Sequence, residues 1–224
     1  MGDVPYAELH CRSNFSFLQG ASHPEQLVEQ AVTLGLQSLA LTDRNGLYGI
    51  VRFAQAARAL KLPTVFGAEL QCSVGEAVGD IVVIARNPRG YAHLSSAISA
   101  GQLAGSKDRP VFGIEHLAEF SLGDWWVLTG GKSGVVSRAL YAQGPATAQR
   151  RVQQLVSVFG KDSVVMELWD HGDPLDSVRN DELARLAHRS DIACIATNDV
   201  LYATPAQHKL ATAVAAVRER SSLD

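Results

Sequence analysis

At 224 residues, 46% of them hydrophobic and 19% charged, the chain holds enough material for a full core and reads as one domain spanning 1–224. A formal net charge of -3 argues against a strong nucleic-acid binder built on clustered Lys and Arg, and the lack of a long apolar run or secretory pattern points to a cytoplasmic protein with no membrane partner. Cys11, Cys72 and Cys194 lie far apart with no C-x-x-C, which supports neither a disulfide framework nor a zinc ribbon.

The stretch Tyr6 to Ser13 reads as a first strand whose carboxyl end delivers His10 and Arg12 to one face, because alternate residues of a strand point the same way. Two imidazoles at such a place would clamp a metal ion; here the second is an arginine. Ser22-His23-Pro24-Glu25 has capping-box spacing with a proline in the first turn, so a helix capped by Ser22 is expected to carry Leu27, Val28, Ala31 and Leu34 on one face. Ser38 to Leu41 is a second strand, left through the polar turn Thr42 to Gly46, and a helix follows through Ile50, Phe53, Ala57 and Leu60. Thr64 to Leu70 and Ile81 to Ala85 are the third and fourth strands. Asn87-Pro88-Arg89-Gly90 opens a helix carrying Tyr91, Leu94, Ala97 and Ile98. The small, polar and charged residues from Gly101 to Pro110 are expected to form a mobile loop.

Trp125 to Thr129 is the fifth strand, closed by Gly130-Gly131-Lys132-Ser133-Gly134. That turn lacks the glycine spacing of a phosphate-binding loop and reads as a plain strand-to-helix connection. Val152, Leu155, Val156 and Phe159 mark a helix, Val164 to Leu168 a sixth strand, Leu183 and Leu186 a helix, and Ile192 to Ala196 a seventh strand. A last helix runs from about Pro205 to about Arg218. Alternating strands and helices predict parallel strands joined by crossovers, in an open sheet or a closed barrel. Polar groups recur at strand carboxyl ends (His10 and Arg12, Asp43 and Arg44, Glu69, Lys132, Asn198 and Asp199), and a barrel gathers all such ends on one face, which favours the barrel.

Lone histidines at 23, 93, 116, 171, 188 and 208 have no ligand spacing and read as surface or capping residues, His171 standing out because it follows a strand end. Trp125, Trp126 and Tyr91 read as packing residues rather than a base-stacking platform. Asp-x-His after the seventh strand would give a carboxylate and an imidazole together, but position 201 is leucine and only Asp199 can ligate.

The segments YAELHCRSNFSFLQGAS, ALTDRNGLYGIVRFAQAA, VFGAEL, ARNPRGY, VVMELWDHG and IATNDVLYATPAQHKLATAVAAVRERSSLD together resemble the polymerase-and-histidinol-phosphatase (PHP) domain at the amino end of bacterial C-family DNA polymerases, nearest to the error-prone branch used in damage-induced synthesis. The resemblance covers essentially the whole chain. It implies an α/β fold, a distorted (β/α)7 barrel of the PHP type, with a polynuclear Zn or Mn site at its carboxyl face. It also implies that residues 1–224 are the amino-terminal fragment of a longer polymerase, whose Mg-dependent catalytic domain lies elsewhere. The partners implied are the rest of that chain, DNA through the parent protein, a sliding clamp and translesion accessory proteins.

Carried over residue by residue, the ligand pattern of the family mostly fails. Its first His-x-His becomes His10 and Arg12, the next ligand falls on Gln19, the His of the Thr-Asp-His turn on Arg44, the ligand after the fifth strand near Gly131, and Asp-x-His becomes Asp199 and Leu201. His10, Glu69 and Asp199 stand as vestigial metal residues, with Asp80 as a further candidate. Arginine stays protonated and cannot ligate, so Arg12 and Arg44 are expected to replace the charge of lost cations beside Glu69 and Asp199. No catalytic residue and no resident cofactor are therefore expected, and the domain reads as a structural, partner-binding module. An active metal-dependent phosphoesterase or 3′–5′ exonuclease is the alternative, and a free-standing barrel enzyme acting on a small phosphorylated substrate the third reading.

Overall fold

The computed structural model describes residues 5–106 and 109–222, and the strands follow chain order across a seven-stranded sheet, β1 to β7. Two contact units are distinguished, Met1–Gly67 with Asp199–Asp224, and Ala68–Asn198. Among the described residues no helix is long and apolar enough to cross a membrane.

In the first unit β1 (Ala7–Glu8) pairs in parallel with β2 (Ser38–Leu41), Ala7 opposite Ser38, and β2 pairs with the start of β3 (Thr64–Val74), Leu41 opposite Phe66. The first strand is far shorter than the predicted Tyr6 to Ser13. The chain nevertheless stays pinned beyond it. His10 O accepts the Val200 N–H at 2.8 Å, Val200 O accepts the Arg12 N–H at 2.9 Å, and Cys11 O accepts the Thr42 N–H at 2.8 Å. Helix α1 (Pro24–Thr33) buries Leu27, Val28 and Ala31, and α2 (Ile50–Leu60) buries Ile50, Phe53 and Ala57, the Phe53 ring meeting Phe66 edge-on at 6.2 Å.

The cap of α1 sits one residue later than expected. His23 is the N-cap, extended at φ -67° and ψ 152° as the residue before a proline must be, and its N–H is accepted by Gln26 Oε1 at 2.9 Å. Ser22 is instead buried, its hydroxyl donating to Gln207 Oε1 at 2.6 Å and accepting the Ala203 N–H at 2.7 Å. A 3-10 turn (Pro205–Gln207) leads into α8 (His208–Glu219).

In the second unit β3 turns through Gly75 and Glu76 directly into β4 (Ala77–Ala85), which runs antiparallel to β5 (Trp125–Leu128), Val83 opposite Val127. The expectation of parallel strands throughout is corrected here: a two-residue connection joins antiparallel neighbours, whereas a parallel pair needs a crossover of a dozen residues or more. Parallel pairing resumes from β5 to β6 (Val164–Trp169) and from β6 to β7 (Ala193–Thr197).

Asn87 caps α3 (Pro88–Ala104) by accepting the Gly90 N–H at 2.9 Å. This helix takes in Gly101 to Ala104, the first part of the stretch predicted as a mobile loop. Gly101 is there for close packing, since a Cβ would stand 2.1 Å from Phe112 Cε1. Positions 107 and 108 lie outside the described residues. Helices α4 (Ile114–Ser121), α5 (Val135–Gln143), α6 (Pro145–Phe159) and α7 (Asp176–Arg189) complete the unit. Trp125 is fully buried with its Nε1–H on Gly90 O at 2.8 Å, and Trp126 is half-exposed under the Arg86 guanidinium at 3.8 Å. At the exit of β6, buried Arg179 pairs with Asp176, stacks 3.8 Å over Trp169 and donates to Trp169 O.

Candidate functional site

The extended run past β1 points His10 and Arg12 to the same side, as alternation requires, and Asp199 meets both. The Arg12 Nη2–H donates to Asp199 Oδ1, and His10 Nε2 lies 3.5 Å from that same oxygen. Arg12 also gives an Nη1–H to Gln19 Oε1 at 2.7 Å. His10 is wholly buried, and the Arg12 and Asp199 side chains are 10% and 12% exposed. Asp199 holds φ at +46°, a left-handed conformation that Asp tolerates better than most residues. That turn places its carboxylate two residues before Leu201, whose carbonyl accepts the Ala21 N–H at 2.7 Å.

A second buried carboxylate of this unit is Asp43, one of the polar groups that sequence reading placed at strand carboxyl ends. Asp43 Oδ1 accepts the Ser13 N–H at 2.8 Å and the Ser16 O–H at 2.7 Å, and both of its oxygens lie within 3.0 Å of Ser13 Oγ. Burial pushes the Asp43 carboxyl up, against the lowering effect of the Ser16 and Ser13 donors and the Gly49 N–H, and the net direction is upward. The Cys11 thiol is raised well above its ordinary range, first by burial and then by the nearby Glu8 and Asp43 charges, and so is not a thiolate donor. Glu8, also buried, accepts the Tyr6 O–H and the His10 N–H, both at 2.8 Å. Arg44 is half-buried, with its backbone N–H on Ser16 Oγ at 2.9 Å.

In the second unit Glu69 on β3 and Asp80 on β4 are each 2% exposed. Because β4 is antiparallel, Asp80 lies beside the exit of β5, its N–H on Ser133 O at 3.0 Å. Gly130, at φ +81°, keeps that approach open, as a Cβ there would come within 2.6 Å of Asp80 O. Lys132 is exposed. Glu167 on β6 was missed from sequence; it is fully buried and accepts the Thr197 O–H at 2.5 Å. Its signal was an acid inside the apolar run Val164 to Trp169. His171 Nε2 meets Asn198 O at 2.7 Å, and since a carbonyl only accepts, Nε2 is the donor.

A polynuclear metal centre needs several imidazole and carboxylate donors free to converge. Asp199 Oδ1, the oxygen that faces His10, is already the acceptor of a guanidinium, and Gln19 and Leu201 offer no anionic or imidazole donor. Of the family's ligand positions in the first unit, those at Arg12, Gln19, Arg44 and Leu201 supply no such donor.

A family model for the PHP domain matches residues 8–171. The error-prone DNA polymerase of Cutibacterium acnes is 48% identical over 231 residues, covering 99% of this chain and 20% of that protein, and that of Mycobacterium tuberculosis strain H37Rv is 48% identical over 99% of this chain and 21% of its own length. The chain thus spans about a fifth of the curated relatives it matches. Among solved structures, a metal-dependent phosphoesterase of Bifidobacterium adolescentis superposes with a TM-score of 0.65 at 17% identity, covering 91% of this chain and 90% of that one. An amidohydrolase of Chromobacterium violaceum, with bound sulfate and no metal, gives 0.63 at 14% identity, covering 88% and 87%. These likenesses show the fold, the distorted (β/α)7 barrel of the PHP type.

Proposed function

This chain belongs to the PHP domain family, and from that premise we propose that it is the amino-terminal PHP domain of an error-prone, damage-induced DNA polymerase, acting there as a metal-depleted structural and partner-binding module. The observation that carries this is the Arg12 guanidinium on Asp199, at the position where the family pattern has an imidazole ligand. A guanidinium brings one covalent positive charge, here through an Nη2–H on Asp199 Oδ1 with Nη1 turned to Gln19, which does for Asp199 what a bound cation would do, with no exchangeable ion. His10, Glu69 and Asp199 are then vestiges of the ligand set, with Asp80 as a further candidate, and Arg44 is the second replacement charge.

In this role the domain performs no chemistry of its own. DNA synthesis and its Mg belong to the remaining four fifths of the longer chain, and that remainder is the domain's first partner. DNA, a sliding clamp and translesion accessory proteins are met through the parent protein, in the cytoplasm. Elemental analysis of gently purified protein tests this directly: less than one transition-metal ion per chain is expected, and two or more bound zinc or manganese ions would overturn the proposal.

One observation favours a second reading, a surviving phosphoesterase or 3′–5′ exonuclease: His10 Nε2 and Asp199 Oδ1 remain 3.5 Å apart, a spacing that two ligands of one ion share. Metal-dependent release of nucleotides from a single-stranded primer, abolished by Asp199→Asn, would establish it.

A further inference from the structure

The loop from Ser13 to Gly20 carries Gln19 to Arg12, and the loop after β2 carries Arg44; one hydroxyl joins the two. Ser16 Oγ donates to Asp43 Oδ1 at 2.7 Å and accepts the Arg44 N–H at 2.9 Å, and the residue is 1% exposed. Its backbone is engaged as well, the Ser16 N–H on Ser13 O at 2.9 Å and its carbonyl accepting the Gln19 N–H at 2.9 Å and the Gly20 N–H at 3.2 Å. The turn is tightly closed, because a Cβ at Gly20 would stand 2.0 Å from Ser13 O.

We infer that Ser16, held by the Asp43 carboxylate, is a positioning residue that sets these two loops and thereby holds Gln19 on Arg12 and aims Arg12 at Asp199. A buried hydroxyl has one proton to give and accepts through its lone pairs; here the proton goes to Asp43 and an acceptor position to Arg44, so its rotor has a single productive setting. The Gln19 backbone that this setting fixes is the one whose side chain takes the Arg12 Nη1–H. This inference rests on the Arg12–Asp199 pairing proposed above.

The test reads the Arg12 guanidinium itself, by nitrogen-15 NMR at low temperature on the 224-residue chain, its signal assigned by its loss in Arg12→Lys. A guanidinium whose Nη1 and Nη2 are each held by an acceptor should give a narrow, protected Nη–H signal. Ser16→Ala should accelerate its exchange at least about tenfold, Ser16→Thr, which keeps a hydroxyl, should retain most of the protection, and Ala31→Gly in α1, a general destabiliser of the same unit, should leave it unchanged once global stability is matched. Should Ser16→Ala fail to fold, Ser13→Ala removes one Asp43 donor and should give a smaller acceleration of the same sign. A protected signal that both serine variants leave untouched would overturn the positioning role alone. Absence of a protected Arg12 signal in the unsubstituted chain would refute the pairing underneath it as well.

Discussion

Truncating Arg12 is the sharpest perturbation of this site. In Arg12→Ala, Asp199 loses the donor on Oδ1 and Gln19 Oε1 loses its 2.7 Å partner, in surroundings where the arginine and aspartate side chains are only 10% and 12% exposed. Removing one member of a buried pair costs about 3–5 kcal/mol because a carboxylate is stranded; the residual exposure of Asp199 lets water take part of that load, so about 3 kcal/mol is expected. An exposed pair would cost under about 1 kcal/mol. Substituting both partners, Arg12→Ala with Asp199→Asn, leaves no stranded charge, and the double variant should recover at least about 1.5 kcal/mol relative to the sum of the singles. Urea denaturation of all four proteins, at low salt and at about 1 M salt, gives the coupling and its screening. A pair removed from solvent keeps its coupling in salt. A coupling under about 0.5 kcal/mol, or one that vanishes in salt, would refute the charge-replacement account.

Three further outcomes follow from the same structure. Burial raises the Asp176 carboxyl, but the His171 N–H, the Arg179 guanidinium and the Asp173 N–H lower it further, to about 2; a depressed folded-state value stabilises above the unfolded value of about 3.9 and loses that contribution as pH falls toward about 2, so Asp176→Asn should flatten the acid limb of a stability-against-pH curve between those limits and leave its slope above about pH 5 unchanged. Gly101→Ala drives a methyl to 2.1 Å from Phe112 Cε1 and should cost about 1–3 kcal/mol in thermal or urea unfolding, largely relieved by Phe112→Leu. Combining Arg12→His, Arg44→His and Leu201→His should raise zinc affinity in calorimetric titration at least about tenfold, short of a full centre because Gln19 and Gly131 still supply no ligand.

Much of this fold was legible in the chain because its signals are local. The order of the seven strands, the Asn87 cap and the α6 face follow from period, capping chemistry and punctuation within a dozen residues. So does the decisive chemical fact at the site, that Arg12 stands two residues after His10 on an extended run and can never be a ligand. The shift of the α1 cap to His23 was equally local in origin, since Pro24 forces the preceding residue to be extended, but Ser22 had a competing use that lay 185 residues away in Gln207.

Only the tertiary structure decided how remote segments meet. That β4 runs antiparallel depended on whether Gly75 and Glu76 close a hairpin, and that the residues around Gly101 stay helical depended on Phe112 packing against a bare α-carbon. Arg12 and Asp199 are 187 residues apart in sequence, Ser16 and Asp43 are 27 apart, and neither pairing leaves any mark on the residues between. A buried charge must find a partner, and composition announces that need; which partner it finds is fixed by where the backbone hydrogen bonds bring the chain back, here Val200 against His10 and Arg12, and Thr42 against Cys11.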